Sequence, residues 1–125
     1  MAFTIQLTGV IKVGSNLATM SIAPSVTTCE EFHKIKQYLA IAVAQTLNIG
    51  GLTNVDFCYL QFTDSSTGDP THALVVPLGI GSNDASVSAH QTEFLYVNKT
   101  GTGATGFDID TIATCYVEGI IGGAA

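Results

Sequence analysis

Between Phe3 and Val13 the chain alternates apolar and polar residues, with Phe3, Ile5, Leu7, Ile11 and Val13 on one side and Thr4, Gln6, Thr8 and Lys12 on the other. Successive side chains point to opposite faces only in extended backbone, so a helix cannot satisfy this pattern. The chain therefore opens on a strand that is buried on one face, through Ile5, Leu7 and Ile11, and wet on the other. Short runs rich in Val, Ile, Tyr, Phe and Thr continue the theme, separated by clusters of Gly, Asp, Asn and Ser. That spacing predicts an all-β fold, a single antiparallel β-sandwich of jelly-roll-like type. Strands are expected near 3–13, 17–23, 35–49, 55–63, 72–80, 93–98, 107–110 and 112–121.

One stretch carries two patterns. Thr28-Cys29-Glu30-Glu31 resembles a capping box, and Ile35, Leu39, Val43 and Leu47 recur every fourth residue, as on a helix. Ile35, Leu39, Ile41, Val43, Leu47 and Ile49 are also all odd-numbered, as in a strand. The alternation and the β-rich neighbours favour a strand. A short helix near 28–44, or a helical turn over Cys29 to His33, is the alternative.

With 125 residues the chain is long enough for one domain with one core, spanning 1–125 without a linker or internal repeat. Low-complexity sequence is confined to the tail from Gly122 to Ala125. Charged residues make up only 11%, against roughly one quarter in an average soluble domain. The four basic residues are all lysines, and the net charge is -6. An acidic chain without arginine is a poor partner for nucleic acid or an anionic membrane, and neither is expected. The start of the sequence lacks the pattern of a signal peptide, and no apolar run reaches the ~18 residues of a membrane-spanning helix, so a soluble chain made in a cytoplasm is expected. Cys29, Cys58 and Cys115 are widely spaced and fit neither a disulfide framework nor a zinc site. They read as small buried hydrophobes.

Residues that could carry chemistry are few. Gly101 to Gly106 matches Gly-x-Gly-x-x-Gly, but the alternating Phe107-Asp108-Ile109-Asp110 follows it. A strand there offers no helix terminus to a phosphate, so the segment reads as a glycine-rich loop. Asp108 and Asp110, with Glu118 as a possible third ligand, could meet a calcium ion or form a solvated face; the ligand density favours the face. His33, His72 and His90 stand apart from one another and from cysteine at ligand spacing. Ser88 with His90, or Cys58 with His72, would need to meet in space, and neither lies in a nucleophile signature. No enzyme activity, cofactor or metal is expected. Asn98-Lys99-Thr100 is a glycosylation sequon, read here as a strand entering a turn. Tyr38, Tyr59, Tyr96 and Tyr116 lie in strand-like runs and are expected in the core.

The run Leu47-Asn48-Ile49-Gly50-Gly51-Leu52-Thr53-Asn54-Val55-Asp56-Phe57-Cys58-Tyr59-Leu60-Gln61-Phe62-Thr63-Asp64 places a Leu-x-Leu-Gly-like turn before an apolar strand that ends in a polar tip. Strand-like segments Ala73 to Ile80, Glu93 to Asn98 and Ile112 to Glu118 follow in order. Over roughly 3–13 and 45–121 this arrangement resembles the small β-sandwich accessory proteins, of cement or decoration type, of tailed-bacteriophage virions. The chain departs from their pattern at the Asp64-Ser65-Ser66 tip and in the longer, greasier 28–44 segment. The resemblance implies a non-enzymatic virion structural protein, made in the host cytoplasm, that decorates and stabilises a capsid shell. Its implied partners are the major capsid protein or other virion proteins and further copies of itself, with a trimer as the expected oligomer. A tail, neck or fibre-base component, or a ligand- or carbohydrate-binding sandwich, are the alternatives. The expected contacts are the tip Asp64 to Pro70, through Asp64, Ser65, Ser66 and Asp69, and the loop Gly81 to His90, through Asn83, Asp84 and His90.

Overall fold

The computed structural model describes residues 2–13, 18–40, 45–79, 92–97 and 103–125, and between 7 and 28 it describes the backbone and its pairing. The described residues contain strands and no helix. In chain order the strands are β1 (Phe3–Val13), β2 (Ala18–Cys29), β3 (Glu31–Leu39), β4 (Gln45–Thr46), β5 (Asn54–Asp64), β6 (Ala73–Leu78), β7 (Glu93–Val97), β8 (Gly106–Thr111) and β9 (Cys115–Ala124). They form a four-stranded sheet in the order β3-β9-β5-β7, a three-stranded sheet in the order β4-β8-β6, and a separate β1-β2 hairpin, all antiparallel. From β3 onward the odd-numbered strands belong to one sheet and β4, β6 and β8 to the other. The latest strand of each sheet lies between earlier ones, β9 between β3 and β5, and β8 between β4 and β6. This is the winding of a jelly-roll-like sandwich.

Period-two patterning fills the space between the sheets. On β5, Cys58, Leu60 and Phe62 point inward; on β9, Cys115, Val117 and Ile121; on the opposing sheet, Val75, Phe107 and Ile109. All are almost wholly shielded from water. Phe107 meets Phe94 and Tyr96 edge to face, with ring centroids 5.7 and 5.6 Å away. Edge-to-face pairs of this kind each add about 0.5–1.5 kcal/mol beyond simple burial, so they fix the relative position of the two sheets as well as excluding water.

The 35–49 stretch is not one strand. β3 begins at Glu31 in the first sheet and β4 occupies Gln45–Thr46 in the second. The chain changes sheet between them, and odd-numbered Leu39 and Leu47 are core residues on both sides of the change. The continuous alternation of the sequence thus combines two separate inward faces. The turn expected over Cys29 to His33 is absent as well: Glu30 is a bend between strands, and its N–H donates to the Gly123 carbonyl at 2.9 Å. The tail is also structured. Gly122 to Ala124 belong to β9, where Gly122 pairs with Phe32 on one side and Phe57 on the other.

β1 and β2 pair from Phe3↔Cys29 to Val13↔Ala18, with an irregularity where Thr8 faces Ala23 and Pro24. Proline has no N–H to give the ladder, which accounts for a bulge at this point. β2 runs on to Cys29, beyond the expected end at 23, and packs against β9 and β5. The hairpin sits on Gly122, where a Cβ would come within 2.6 Å of Ile5 Cδ1 and 2.9 Å of Cys29 Sγ. Glycine is required there so that two side chains can rest on backbone. Ile5 is accordingly half-buried, whereas Phe3 stays 38% exposed beside the ring of Phe32, 5.0 Å away. The Leu7 and Ile11 side chains, expected to be buried, lie outside the described residues.

Candidate interaction surfaces

The Asp64 to Pro70 tip is built from the residue types that its backbone requires. The Asp64 N–H donates to the Asp69 carbonyl at 2.8 Å, and the Asp64 carbonyl accepts from the Gly68 N–H at 2.9 Å. Asp64 Oδ1 accepts from the Ser66 N–H at 2.8 Å, the Ser66 hydroxyl at 2.7 Å and the Thr67 N–H at 3.2 Å. One carboxylate thereby caps a single turn, as at a helix N-terminus. Gly68 closes the turn with φ of 76°, in the left-handed region. The Ser66 side-chain bond, followed by the backbone bonds from Ser66 and Thr67, holds the Asp64 carboxyl below the usual carboxylate range. Ser65 ties the tip to the next loop by donating from both N–H and Oγ to the Thr114 carbonyl, each at 3.0 Å. Of the expected contact residues, Asp64, Ser65 and Ser66 thus have side chains engaged in hydrogen bonds within the fold, while Asp69 is exposed to solvent. Asn83, Asp84 and His90, with the rest of the Gly81 to His90 loop, lie outside the described residues. Ser88, the 98–100 sequon, Gly101 and Thr102 do so too.

A second surface escaped the sequence reading. The outer side of the four-stranded sheet carries aligned cross-strand rows: Leu95, Tyr59, Ile120 and Lys34; then Glu93, Gln61, Glu118 and Lys36; then Thr63, Tyr116 and Tyr38. Tyr38 is 56% exposed, Leu95 47%, Tyr116 38% and Ile120 38%. The Tyr38 and Tyr116 rings meet edge to face with centroids 5.4 Å apart, and Lys36 Nζ lies 5.5 Å from the Tyr116 centroid. Lys36 also pairs with Glu118 at 3.4 Å. An exposed pair of this kind is worth roughly 0.2–1 kcal/mol, so it shapes the surface more than it stabilises the fold. Tyr38 and Tyr116 are therefore surface residues, contrary to the core placement expected of them. Alternation assigned them to strands correctly, but it does not say which side of a strand the protein leaves uncovered. At the far end of this face Phe57 is only 3% exposed although it lies outside the inter-sheet core. The hairpin covers that end, and the rows beyond it remain open.

A groove runs beside β3, lined by His33, Lys34, Lys36, Gln37, Asn48 and Gly50. Gln37 bridges it, donating through Nε2 to the Thr46 carbonyl at 3.3 Å and accepting from the Asn48 N–H at 2.8 Å. His33 lies 3.2 Å from Glu31.

Asp108 and Asp110 point outward from β8 in the three-stranded sheet, and Asp108 accepts from Thr46 Oγ1 at 3.0 Å. Glu118 belongs to the outer face of the other sheet, across the core, so it cannot complete a site with them. Among the described residues no group of three or more His, Cys, Asp or Glu side chains is placed to hold a metal ion. All three cysteines are free and buried. Burial pushes the Cys58 thiol far above its ordinary range. Cys29 and Cys115 are raised by burial first, and then by the nearby charges of Asp56 and Asp64 respectively.

No family model, curated protein or solved structure matches the chain.

Proposed function

We propose that this chain is a non-enzymatic virion structural subunit that decorates a capsid shell in association with further copies of itself. The observation that carries the reading is the jelly-roll-like winding of the two sheets, an architecture that serves viral capsid and lectin domains. Fold alone does not fix function, and two surface features lend support. The tip is polar, hydrogen-bonded within itself and tied to the adjoining loop, as suits the rim of a contact. The outer sheet face leaves large apolar side chains in water, as suits a protein that is finished by assembly. A second reading, a carbohydrate-binding module, draws on the exposed Tyr38 and Tyr116 pair, since aromatic faces are good platforms for sugar rings.

The test is occupancy on purified particles. Because Asp64 caps its own turn, Asp69→Lys is the cleaner probe of the tip. The expected result is a folded domain with reduced attachment to shells. Wild-type occupancy by folded Asp69→Lys would remove the tip as a main contact. Absence of the chain from particles, together with sugar binding that is lost in Tyr116→Ala, would replace the virion reading with the second one.

A further inference from the structure

We propose that two copies of this chain join edge to edge through β7, about a twofold axis that stands perpendicular to the sheet at Leu95, so that their β3-β9-β5-β7 sheets run on as one. The inference concerns the isolated chain and stands apart from the virion reading, so either can fail alone.

Each edge of an open sheet leaves a row of backbone N–H and C=O groups, which natural proteins blunt against stray pairing. Here the edge strands are β3, β7, β4 and β6, and among the described residues no further strand pairs with any of them. All but one carry a device of this kind. β3 bears Lys34 and Lys36, and β4 is only two residues long. On β6 the device is Pro77. The Leu47 N–H donates to the Phe107 carbonyl at 2.9 Å, which turns Phe107 toward β4; Pro77, its partner in register, therefore faces the open edge with the nitrogen that lacks a hydrogen. β7 has no such feature. It reads Glu93-Phe94-Leu95-Tyr96-Val97, charged only at its first residue and without proline.

The ladder with β5 shows which β7 groups face outward. The Phe62 N–H donates to the Thr92 carbonyl at 3.3 Å, and the strands pair from Gln61↔Glu93 to Phe57↔Val97. Hydrogen-bonded pairs alternate along an antiparallel ladder, so Phe94 and Tyr96 direct their N–H and C=O to β5, and Glu93, Leu95 and Val97 direct theirs to the edge.

A second copy fits this row. Pairing about the proposed axis sets Leu95 against its own counterpart, and Glu93 against the second copy's Val97, twice over by symmetry. Each outward N–H then meets an outward carbonyl. Charge permits the approach at this edge. Copies with a net charge of -6 repel when they meet at random, but here the two Glu93 carboxylates stand about 14 Å apart, beyond the ~8 Å over which charges act strongly at physiological salt. On the outer face the exposed Leu95 side chain closes on its counterpart.

The hairpin stays off this axis. It rests on β9 and β5, at Gly122 and Phe57. In the joined sheet the two β5 strands lie about 14 Å apart across the strands, and the two Phe57 seats are offset by about 14 Å along them, because Phe57 pairs with Val97 rather than with Leu95. Both hairpins thus stand on the same side of the sheet, toward opposite ends.

Sedimentation equilibrium and amide exchange on the isolated chain test the pairing, with circular dichroism melts confirming that each variant is folded. Wild type is expected in a monomer–dimer equilibrium. The Glu93, Leu95 and Val97 amides should gain protection as the dimer forms, while those of Phe94 and Tyr96 are protected throughout by β5. Leu95→Pro removes only an outward N–H, so it should fold and weaken the dimer on the order of ten-fold or more. If it does not fold, Leu95→Lys takes its place. Leu95→Cys should cross-link to its counterpart on oxidation, since Cα atoms of a hydrogen-bonded pair lie about 5.5 Å apart, whereas Val97→Cys, about 14 Å from its counterpart, should not. A monomer up to millimolar concentration, a dimer indifferent to these changes at Leu95, or equal cross-linking of the two cysteine variants would overturn the proposal. Full protection of the Leu95 amide in the dilute monomer would also overturn it, because the chain itself would then cover the edge.

Discussion

Individual side chains divide sharply between those that fill the sandwich and those that shape its surface. Leu60 is fully shielded between the sheets, whereas Ile112 is 48% exposed in a loop. Leu60→Ala should cost roughly 2–5 kcal/mol by leaving a cavity, and Ile112→Ala should fall within about 0.5 kcal/mol of wild type, both read by denaturant unfolding. Asp64 makes a pH-dependent contribution. Its carboxyl is lowered in the folded state by bonds that it can accept only when ionised, so its stabilisation is present above the unfolded carboxylate range. That contribution fades as pH falls through the folded value. Wild type and Asp64→Ala should thus differ in melting temperature at neutral pH and converge in acid. Asp108 and Asp110 should behave as a solvated face, with chelator leaving the melting temperature unchanged and added calcium giving no stabilisation. The buried character of Cys58 and Cys115 was legible because both interrupt apolar strand runs. The exposure of Tyr38 and Tyr116 was not, because period two distinguishes the sides of a strand without naming the wet one.

At the level of elements, the hairpin is the part whose attachment rests on least. Two strands alone are marginal in water, so β1 and β2 depend on their contact with β9 and β5. Gly122→Val should push Ile5 and Cys29 off their seat while leaving the inter-sheet core intact. The expected signature is rapid thiol labelling of Cys29 under native conditions, with Cys58 and Cys115 still protected, and early loss of amide protection in β1 and β2. Equal deprotection of all three thiols would show instead that the sandwich itself had opened. Strand positions were legible from apolar runs and turn clusters, and β5, β6 and β7 lie within a residue or two of expectation. The division of 35–49 between sheets was not, because Leu39 and Leu47 keep the same parity on either side of the crossing. Nor was the use of Gly122 to Ala124, since a glycine-rich run resembles a tail until its neighbours are known to need close approach.

For the whole molecule, the sandwich class followed from many short alternating runs, and the order of strands did not. Alternation fixes which residues face inward but carries no information on which strand lies beside which. The surfaces divided along the same line. The tip announced itself through Asp, Ser and Gly, whose local chemistry is readable one residue at a time. The outer face consists of rows assembled from β3, β9, β5 and β7, and such rows exist only once the sheet has formed.

The place of β9 between β3 and β5 bears on how this protein is made. On a ribosome, β3 emerges early and its backbone has no partner in the sheet: Leu39 waits for Cys115, and Glu31 for Gly123. β5 can pair with β7 in the meantime, but its other edge stays open until the same late strand arrives. The nascent chain thus carries two unsatisfied strand edges through most of its synthesis, a state exposed to wrong partners and slow to resolve. Yield from cells should therefore depend on translation rate and chaperone supply more steeply than the stability of the finished domain would indicate.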